Sequence, residues 1–167
     1  MAAPVPKRRF MWGETAFLMA WIAARWPTAR VHLNMRLGSL DQHVPRANLN
    51  PAQRALMGAF NRYADAVIET PPGVTLVEAK IRKQMGGIGE LLAYRERVAD
   101  TEDLGNLRRG PVTLVLLVPA ADPEVAAVCA RSGIRYEVFL WTDLDAYISE
   151  RERDFRNQPK SDVTQVF

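Results

Sequence analysis

The sequence predicts an α/β fold in which helices flank one mixed β-sheet. Short strand patterns alternate with helical patterns along the chain, which is the order expected of such a sheet. One segment, VTLVLLVP (112–119), is apolar almost throughout, which is typical of a strand buried on both faces. The 167 residues, 48% of them hydrophobic, are enough for a single domain with its own core.

The first part of the chain predicts a helix, a strand, a loop and a second helix. An apolar pattern at 12–26, followed by Pro27, predicts the first helix. The residues expected on its buried face are Trp12, Ala16, Met19, Ala20 and Ala23. The alternation in RVHLNMRL predicts a strand at 30–37 with Val31, Leu33, Met35 and Leu37 on one face. Residues 38–50 are expected to form a loop, and Asn50-Pro51 the start of a helix to about 61.

The second part of the chain predicts a regular succession of elements. These are strands at 63–69 and 74–81 around a Pro-Pro-Gly turn, a helix at 86–98, a charged loop at 101–111, the strand at 112–119, a helix at 122–131, a strand at 135–140 and a helix at 142–154. We therefore expect an extended N-terminal arm at 1–10, one domain at 11–155 and a polar C-terminal tail at 156–167.

Charge and cysteine content limit the possible functions. Residues 1–62 contain nine Lys or Arg against two acidic residues, whereas the rest contains thirteen against seventeen. A basic half can face nucleic acid, an acidic protein or a membrane surface, or it can be ordinary solvated charge. No apolar run reaches the roughly 18 residues of a membrane span. The single cysteine, Cys129, excludes an internal disulfide and fits a reducing compartment.

Three charged residues, Asp65, Glu78 and Lys80, interrupt the apolar strands on either side of the Pro-Pro-Gly turn. Alternation places Glu78 and Lys80 on the same strand face. If the two strands pair antiparallel through the turn, Asp65 lies directly or diagonally across from Glu78. Two carboxylates this close repel each other unless a positive charge lies between them.

Two interpretations of this group are open. Asp65 and Glu78 offer the oxygen ligands that a hard divalent cation prefers, and such a cation can activate water for phosphodiester hydrolysis. Lys80 can then orient the water or stabilise the charge on the phosphate. Alternatively, Glu78 and Lys80 form an ion pair on an edge strand and Asp65 only begins its strand. The spacing alone does not decide between the two.

The order of elements resembles that of the PD-(D/E)XK nuclease superfamily over about residues 12–118. The core of that family is helix, three strands, helix, strand, with an aspartate on the second strand and a (D/E)-x-K motif on the third. Here Asp65 lies on the second predicted strand and Glu78-Ala79-Lys80 on the third. The resemblance implies a restriction-endonuclease-like mixed sheet flanked by helices.

The resemblance also implies roles for individual residues. Asp65, Glu78 and the carbonyl of Ala79 would hold Mg²⁺ or Mn²⁺, and Lys80 would be the catalytic lysine. Many members place an acidic residue on the first helix, where Glu14 is the candidate.

The helix after the third strand departs from the family pattern. Some helicase–nuclease relatives carry Gln-x-x-x-Tyr there, whereas GELLAYR has Glu90 and Tyr94, one helical turn apart. The additional carboxylate is compatible with a second metal, with an ion pair to Lys80 or Arg95, or with a site no longer used for cleavage.

The resemblance implies DNA as the substrate. The candidate nucleic-acid-binding residues are Arg30, Arg36, Arg82 and Lys83. A further pair, Arg108-Arg109, is expected to flank the cleft, with solvated loop charge as the alternative.

Two functions from different classes follow. The first is a metal-dependent DNA endonuclease of the cytoplasm. The second is a non-catalytic structural or adaptor protein on a nuclease fold, such as a phage virion neck or head–tail connector component. In that case the terminal arms would contact further copies of the chain or other virion proteins, and fold alone does not separate the two functions.

Overall fold

The computed structural model describes residues 11–38 and 62–149. Its helices are α1 (Met11–Arg25), α2 (Gln84–Arg95) and α3 (Pro123–Arg131), with two short 3₁₀ helices at Val98–Asp100 and Glu102–Arg109. Residues 144–149, the last that are described, are also helical. Its strands are β1 (Val31–Leu37), β2 (Arg62–Thr70), β3 (Gly73–Ala79), β4 (Val112–Val118) and β5 (Arg135–Val138).

The five strands form one mixed sheet in the order β1-β2-β3-β4-β5. The pairs β1–β2 and β2–β3 are antiparallel, whereas β3–β4 and β4–β5 are parallel. The β2–β3 register joins Thr70 to Gly73, so Pro71-Pro72 is a two-residue turn. Helix, three strands, helix and strand follow one another as the sequence predicts, which confirms the α/β class and the order of the core.

Helices cover both faces of the sheet and divide the core in two. On one face, α1 and residues after β5 pack on the sheet through a cluster that includes Phe17, Trp21, Ile68, Val77 and Leu117. On the other face, α2, α3 and the 3₁₀ helices pack through a cluster that includes Leu76, Ile88, Leu91, Leu116 and Val125. The central strand β3 is buried along its whole length, as expected of a strand with a layer on each side.

Helix α1 buries a different face from the one predicted. Its buried residues are Gly13, Phe17, Leu18, Trp21 and Ile22. The predicted face includes Ala16, Met19 and Ala23, which are exposed. Burying a phenylalanine and a tryptophan removes much more apolar surface from water than burying alanines. The helix therefore turns its large side chains inward, and the predicted buried face is wrong.

Strand β1 does not keep one apolar face. Val31 packs with the α1-side cluster, whereas Met35 and Leu37 pack with the α2-side cluster. Between them, Asn34 has a φ of 48°, in the left-handed region. Asn34 and Asp65 do not pair in the β1–β2 ladder, although the ladder continues on both sides of them. The expected strict alternation is wrong because one left-handed residue turns the strand.

The other elements differ from the predictions mainly at their ends. Strand β3 ends at Ala79 rather than 81, and α2 runs from Gln84 to Arg95 rather than over 86–98. The segment at 101–111, expected as a loop, is largely 3₁₀ helix. The predicted arm at 1–10, most of the loop at 38–50, the helix at 51–61 and the tail at 156–167 lie outside the described residues.

Candidate active site

Strands β2 and β3 separate at the end where Asp65 lies. Their paired residues run from Thr70 and Gly73 to Ala66 and Val77, where the ladder ends. Instead, the Asp65 carboxylate accepts a hydrogen bond from the backbone N–H of Ala79 at 2.9 Å. A side chain thus replaces a β2 carbonyl as the partner of β3, and Asp65 stands directly beside the Glu78-Ala79-Lys80 segment, as the sequence predicts.

Glu78 is a buried carboxyl on the α2 side of β3. The residue is only 3% exposed, and its Oε1 lies 2.7 Å from Lys80 Nζ. In the ionised carboxyl, Oε2 is buried and has no hydrogen-bond partner among the described residues. Burial, the charge of Asp65 and a hydrogen bond shared with Glu90 raise the pKa of Glu78 from 4.5 to about 9. Burial therefore opposes the ionisation of Glu78, and the adjacent ammonium favours it.

Lys80 is held between two carboxyl groups. Its Nζ lies 2.7 Å from Glu78 Oε1 and 2.7 Å from Glu90 Oε2. Burial alone would lower the pKa of Lys80, but the hydrogen bonds and charges of Glu78 and Glu90 outweigh burial and raise the pKa above its ordinary value. The side chain therefore remains an ammonium, which can attract an anion or orient a water but does not act as a general base.

Helix α2 brings the supporting residues to the site because a glycine lets it approach β3 closely. A Cβ added at Gly87 would lie 2.5 Å from Leu116 Cδ1 and 3.2 Å from Lys80 Cγ. One turn further on, Glu90 contacts Lys80, and Tyr94 is buried with 5% exposure. Burial and then the nearby carboxylates raise the pKa of Tyr94, so its hydroxyl stays protonated.

Glu14 lies on α1, on the opposite side of Asp65 from Glu78 and Glu90. The two carboxyls line a pocket of about 120 Å³ together with Thr15, Leu18, Leu33 and Asn34. The charge of Glu14 adds to that of Glu90 in raising the pKa of Asp65, although burial is the largest cause. The acidic residue that the resemblance implies on the first helix is thus near Asp65, on the α1 side of the sheet.

The residues present fit a divalent cation of the magnesium type. When Asp65, Glu78, Glu90 and the neighbouring Glu14 are all ionised, Lys80 balances one of four negative charges and leaves three, which favours the approach of a cation. Burial raises the pKa of both Asp65 and Glu78, so each carboxylate is unfavourable until a positive charge approaches. In the part of the chain that the structure describes, no three Asp, Glu, His or Cys side chains converge as a ligand set. Mg²⁺ does not need three, since one or two carboxylates and several waters are its usual protein ligands.

The basic residues proposed to contact nucleic acid do not all lie near this group. Arg82 and Lys83 are exposed in the turn between β3 and α2, immediately after the site. Arg36 follows Asn34 on β1, opposite Tyr63, and its Nε is buried without a hydrogen-bond partner among the described residues. Arg30 is exposed and lies 3.4 Å from Glu69, toward the other end of the sheet.

The expectation that Arg108-Arg109 flanks the cleft is wrong. These residues end the second 3₁₀ helix, and the following Pro111 accepts a hydrogen bond from the N–H of Val74 at the start of β3. The seven residues of β3 separate that end of the sheet from Lys80 by roughly 20 Å. The pair lies at the opposite end because β3 and β4 are parallel.

Two features of the site, Gly87 and Gln84, were not predicted from the sequence. Gly87 is one of three glycines in MGGIGE, and only the packing distinguishes it, because a Cβ at Gly86 or Gly89 would meet nothing within 4 Å. Gln84 donates to the Ala120 carbonyl at 3.0 Å and accepts from the Tyr136 hydroxyl at 2.7 Å. These bonds tie the start of α2 to the loop after β4 and to β5. Neither feature has a spacing signal in the sequence.

Comparison with known proteins gives no assignment of family. No protein-family model and no curated protein matches the chain. A solved structure, the crystal structure of protein of unknown function AF1548, is similar with a TM-score of 0.44 and 12% identity over 83% of this chain. The match spans 66% of the length of that structure.

Within the described residues, no helix has both the length and the apolar character needed to cross a bilayer.

Proposed function

We propose that this protein is a metal-dependent DNA endonuclease that hydrolyses phosphodiester bonds at Asp65, Glu78 and Lys80. The observation that carries the proposal is the arrangement where β2 and β3 separate, with Asp65 hydrogen-bonded to the N–H of Ala79. Next to it lies the buried Glu78, whose Oε1 is 2.7 Å from Lys80 Nζ and whose Oε2 has no hydrogen-bond partner among the described residues. Two carboxyls whose raised pKa values disfavour ionisation, beside a permanent cation, match a site completed by a divalent ion.

Each residue of the site would have a separate role in the hydrolysis. Asp65, Glu78 and the backbone carbonyl of Ala79 would hold Mg²⁺ or Mn²⁺. When bound, the ion would lower the pKa of a water and offset negative charge on the phosphate. Lys80, which remains an ammonium, would orient that water or stabilise the phosphate oxygens. Burial around Glu78 keeps bulk water from screening these charges.

DNA is proposed as the substrate because the site is followed directly by exposed positive charge. Arg82 and Lys83 lie in the turn that leaves β3, three residues or fewer from Lys80. Side chains of this kind bind phosphates without reading bases.

The test is a cleavage assay on linear, branched and single-stranded DNA with Mg²⁺ or Mn²⁺. We expect metal-dependent cleavage by the natural protein and a loss of roughly 10²-fold or more in Lys80→Ala, the usual effect of removing a group that stabilises the transition state. The matched control is Arg109→Ala, which removes a cation at the opposite end of the sheet and should leave the cleavage rate unchanged.

Two results would contradict the proposal. One is the absence of metal-dependent cleavage on every DNA form, with a folded protein verified by circular dichroism. The other is equal cleavage by natural protein and Lys80→Ala. Either would favour the non-catalytic adaptor, in which Lys80 and its two glutamates are a structural ion-pair cluster.

A further inference from the structure

We propose that Glu90 is the positioning residue for Lys80, holding its ammonium beside Glu78 whether or not a cation is bound. The inference deepens the proposed function and rests on it for its catalytic meaning. Three contacts carry it: the 2.7 Å distance from Lys80 Nζ to Glu90 Oε2, the equal distance to Glu78 Oε1, and the close packing of α2 over β3 at Gly87.

Lys80 needs a second partner because its first has another role. Glu78 is a proposed cation ligand, and a carboxylate that ligates an ion interacts less strongly with a neighbouring ammonium. Lysine has a long, flexible stem with four rotatable bonds, so a single partner fixes its position poorly. Glu90 supplies an anchor on a different element, and its ion pair with Lys80 is stronger than a contact with a neutral amide.

Arg95 is one of the other partners that the sequence leaves open for Glu90. Arg95, on the same helix, lies 3.4 Å from Glu96 Oε1. The Oε2 atom of Glu90 lies 2.7 Å from Lys80 Nζ. The side chain of Glu90 is 36% exposed, so Glu90 lies nearer to solvent than Glu78, which is buried. Lys80 is therefore contacted by Glu78 of β3 on the buried side and by Glu90 of α2 on the more exposed side.

The test uses the small number of lysines in the chain. The sequence has four: Lys7, Lys80, Lys83 and Lys160. Protein labelled with ¹⁵N-lysine therefore gives at most four ammonium signals, and Lys80→Arg identifies the one of interest. Hydrogen exchange of that ammonium is measured in the presence of chelator, so the reading does not depend on cleavage. The exposed Lys83 is an internal standard.

We expect the Lys80 ammonium of the natural protein to exchange slowly and Glu90→Gln to speed its exchange roughly tenfold, the effect of losing one charged partner. Glu96→Gln alters a carboxylate at the C-terminal end of the same helix, 3.4 Å from Arg95, and should leave the exchange unchanged. In the cleavage assay, Glu90→Gln should lower kcat and leave KM nearly unchanged, because it misplaces a group that acts on the transition state.

Three results would overturn the inference. They are unchanged exchange in Glu90→Gln, equal acceleration in Glu96→Gln, and a raised KM with unaltered kcat. Glu90→Ala, with its melting temperature measured alongside, separates removal of this ion pair from misfolding of the helix. A protein that cuts no DNA but shows the predicted exchange would refute the endonuclease and retain the positioning role, so the two failures are distinguishable.

Discussion

At the scale of single residues, the site depends on carboxyl groups placed where they are unfavourable as anions. The adjacency of Asp65 and Glu78 was predictable, because alternation and a two-residue turn fix the register of a hairpin. The contact between Glu90 and Lys80 was not, because it depends on how closely α2 packs on β3. The sequence left Lys80, Arg95 and a second metal as possible partners for Glu90, and the structure brings Glu90 to Lys80.

Glu78 makes the stability of the metal-free protein dependent on pH. Its pKa rises from 4.5 in the unfolded chain to about 9 in the folded protein, so the folded state holds a proton that the unfolded state has released. The stabilisation is complete below about pH 4.5 and is lost as the pH rises through about 9. We expect the free energy of unfolding, measured with urea and chelator, to fall over this range with a limiting slope of about 1.4 kcal/mol per pH unit.

Glu78→Gln is the matched variant for that measurement, since the amide resembles the protonated carboxyl in shape and does not ionise. Its stability should depend less on pH than that of the natural protein. Parallel curves for the two proteins would contradict the assignment of the raised pKa to Glu78.

Asp65 combines a structural and a proposed chemical role, which two substitutions separate. Asp65→Asn keeps an oxygen that can accept the hydrogen bond from Ala79, whereas Asp65→Ala leaves that N–H without its partner. An unsatisfied buried donor costs about 1–3 kcal/mol, so Asp65→Ala should be less stable than Asp65→Asn by this amount in urea denaturation. Equal stability of the two variants would show that the bond from Ala79 contributes nothing.

At the scale of elements, periodicity predicted which segments are helices and strands better than it predicted which faces they bury. The continuous apolar run of β4 and the turn signals around Pro71-Pro72 located the central strands of the sheet. The buried face of α1 was mispredicted because alanines were weighted equally with Phe17 and Trp21. The break in β1 was missed because an asparagine in the left-handed conformation looks like any polar residue of an alternating strand.

The approach of α2 to the site tests the packing argument directly. Gly87→Ala places a methyl group against Leu116 and Lys80, and overpacking of this kind costs about 1–3 kcal/mol. Gly89→Ala lies in the same helix with open space around the added methyl, so it should stabilise the protein by up to about 1 kcal/mol. We expect opposite signs in thermal or urea denaturation, and faster Lys80 ammonium exchange in Gly87→Ala alone.

Equal stabilisation by the two alanines would contradict this account of the site. It would mean that Leu116 moves aside freely, and that Gly87 does not set the distance between α2 and β3.

At the scale of the whole molecule, the structure places positive charge at both ends of the sheet, and only one end adjoins the site. Arg82 and Lys83 follow β3, whereas Arg108 and Arg109 precede β4. Of the nine basic residues in the first 62, Arg25 and Arg30 lie within ion-pair distance of Glu137 and Glu69. The basic character of that half is therefore partly compensated within the domain, which composition could not reveal.

DNA affinity should depend on one end of the molecule. Replacing both Arg82 and Lys83 with alanine should weaken binding and reduce the slope of log affinity against log salt by about 1–2, since each phosphate that is no longer neutralised lowers the slope by about one. The matched double variant of Arg108 and Arg109 should keep the natural slope. Fluorescence anisotropy over a salt series measures both, and a larger decrease in the second variant would place the DNA at the other end of the sheet.

Whether Asp65 and Glu78 hold a divalent cation is tested by Mn²⁺ titration calorimetry. The proteins compared are the natural protein, Asp65→Asn, Glu78→Gln and the control Glu96→Gln. We expect one site per chain in the natural protein and in the control, with binding lost or weakened at least roughly tenfold in Asp65→Asn and Glu78→Gln. Equal affinity in all four proteins, or no binding to the natural one, would contradict this expectation.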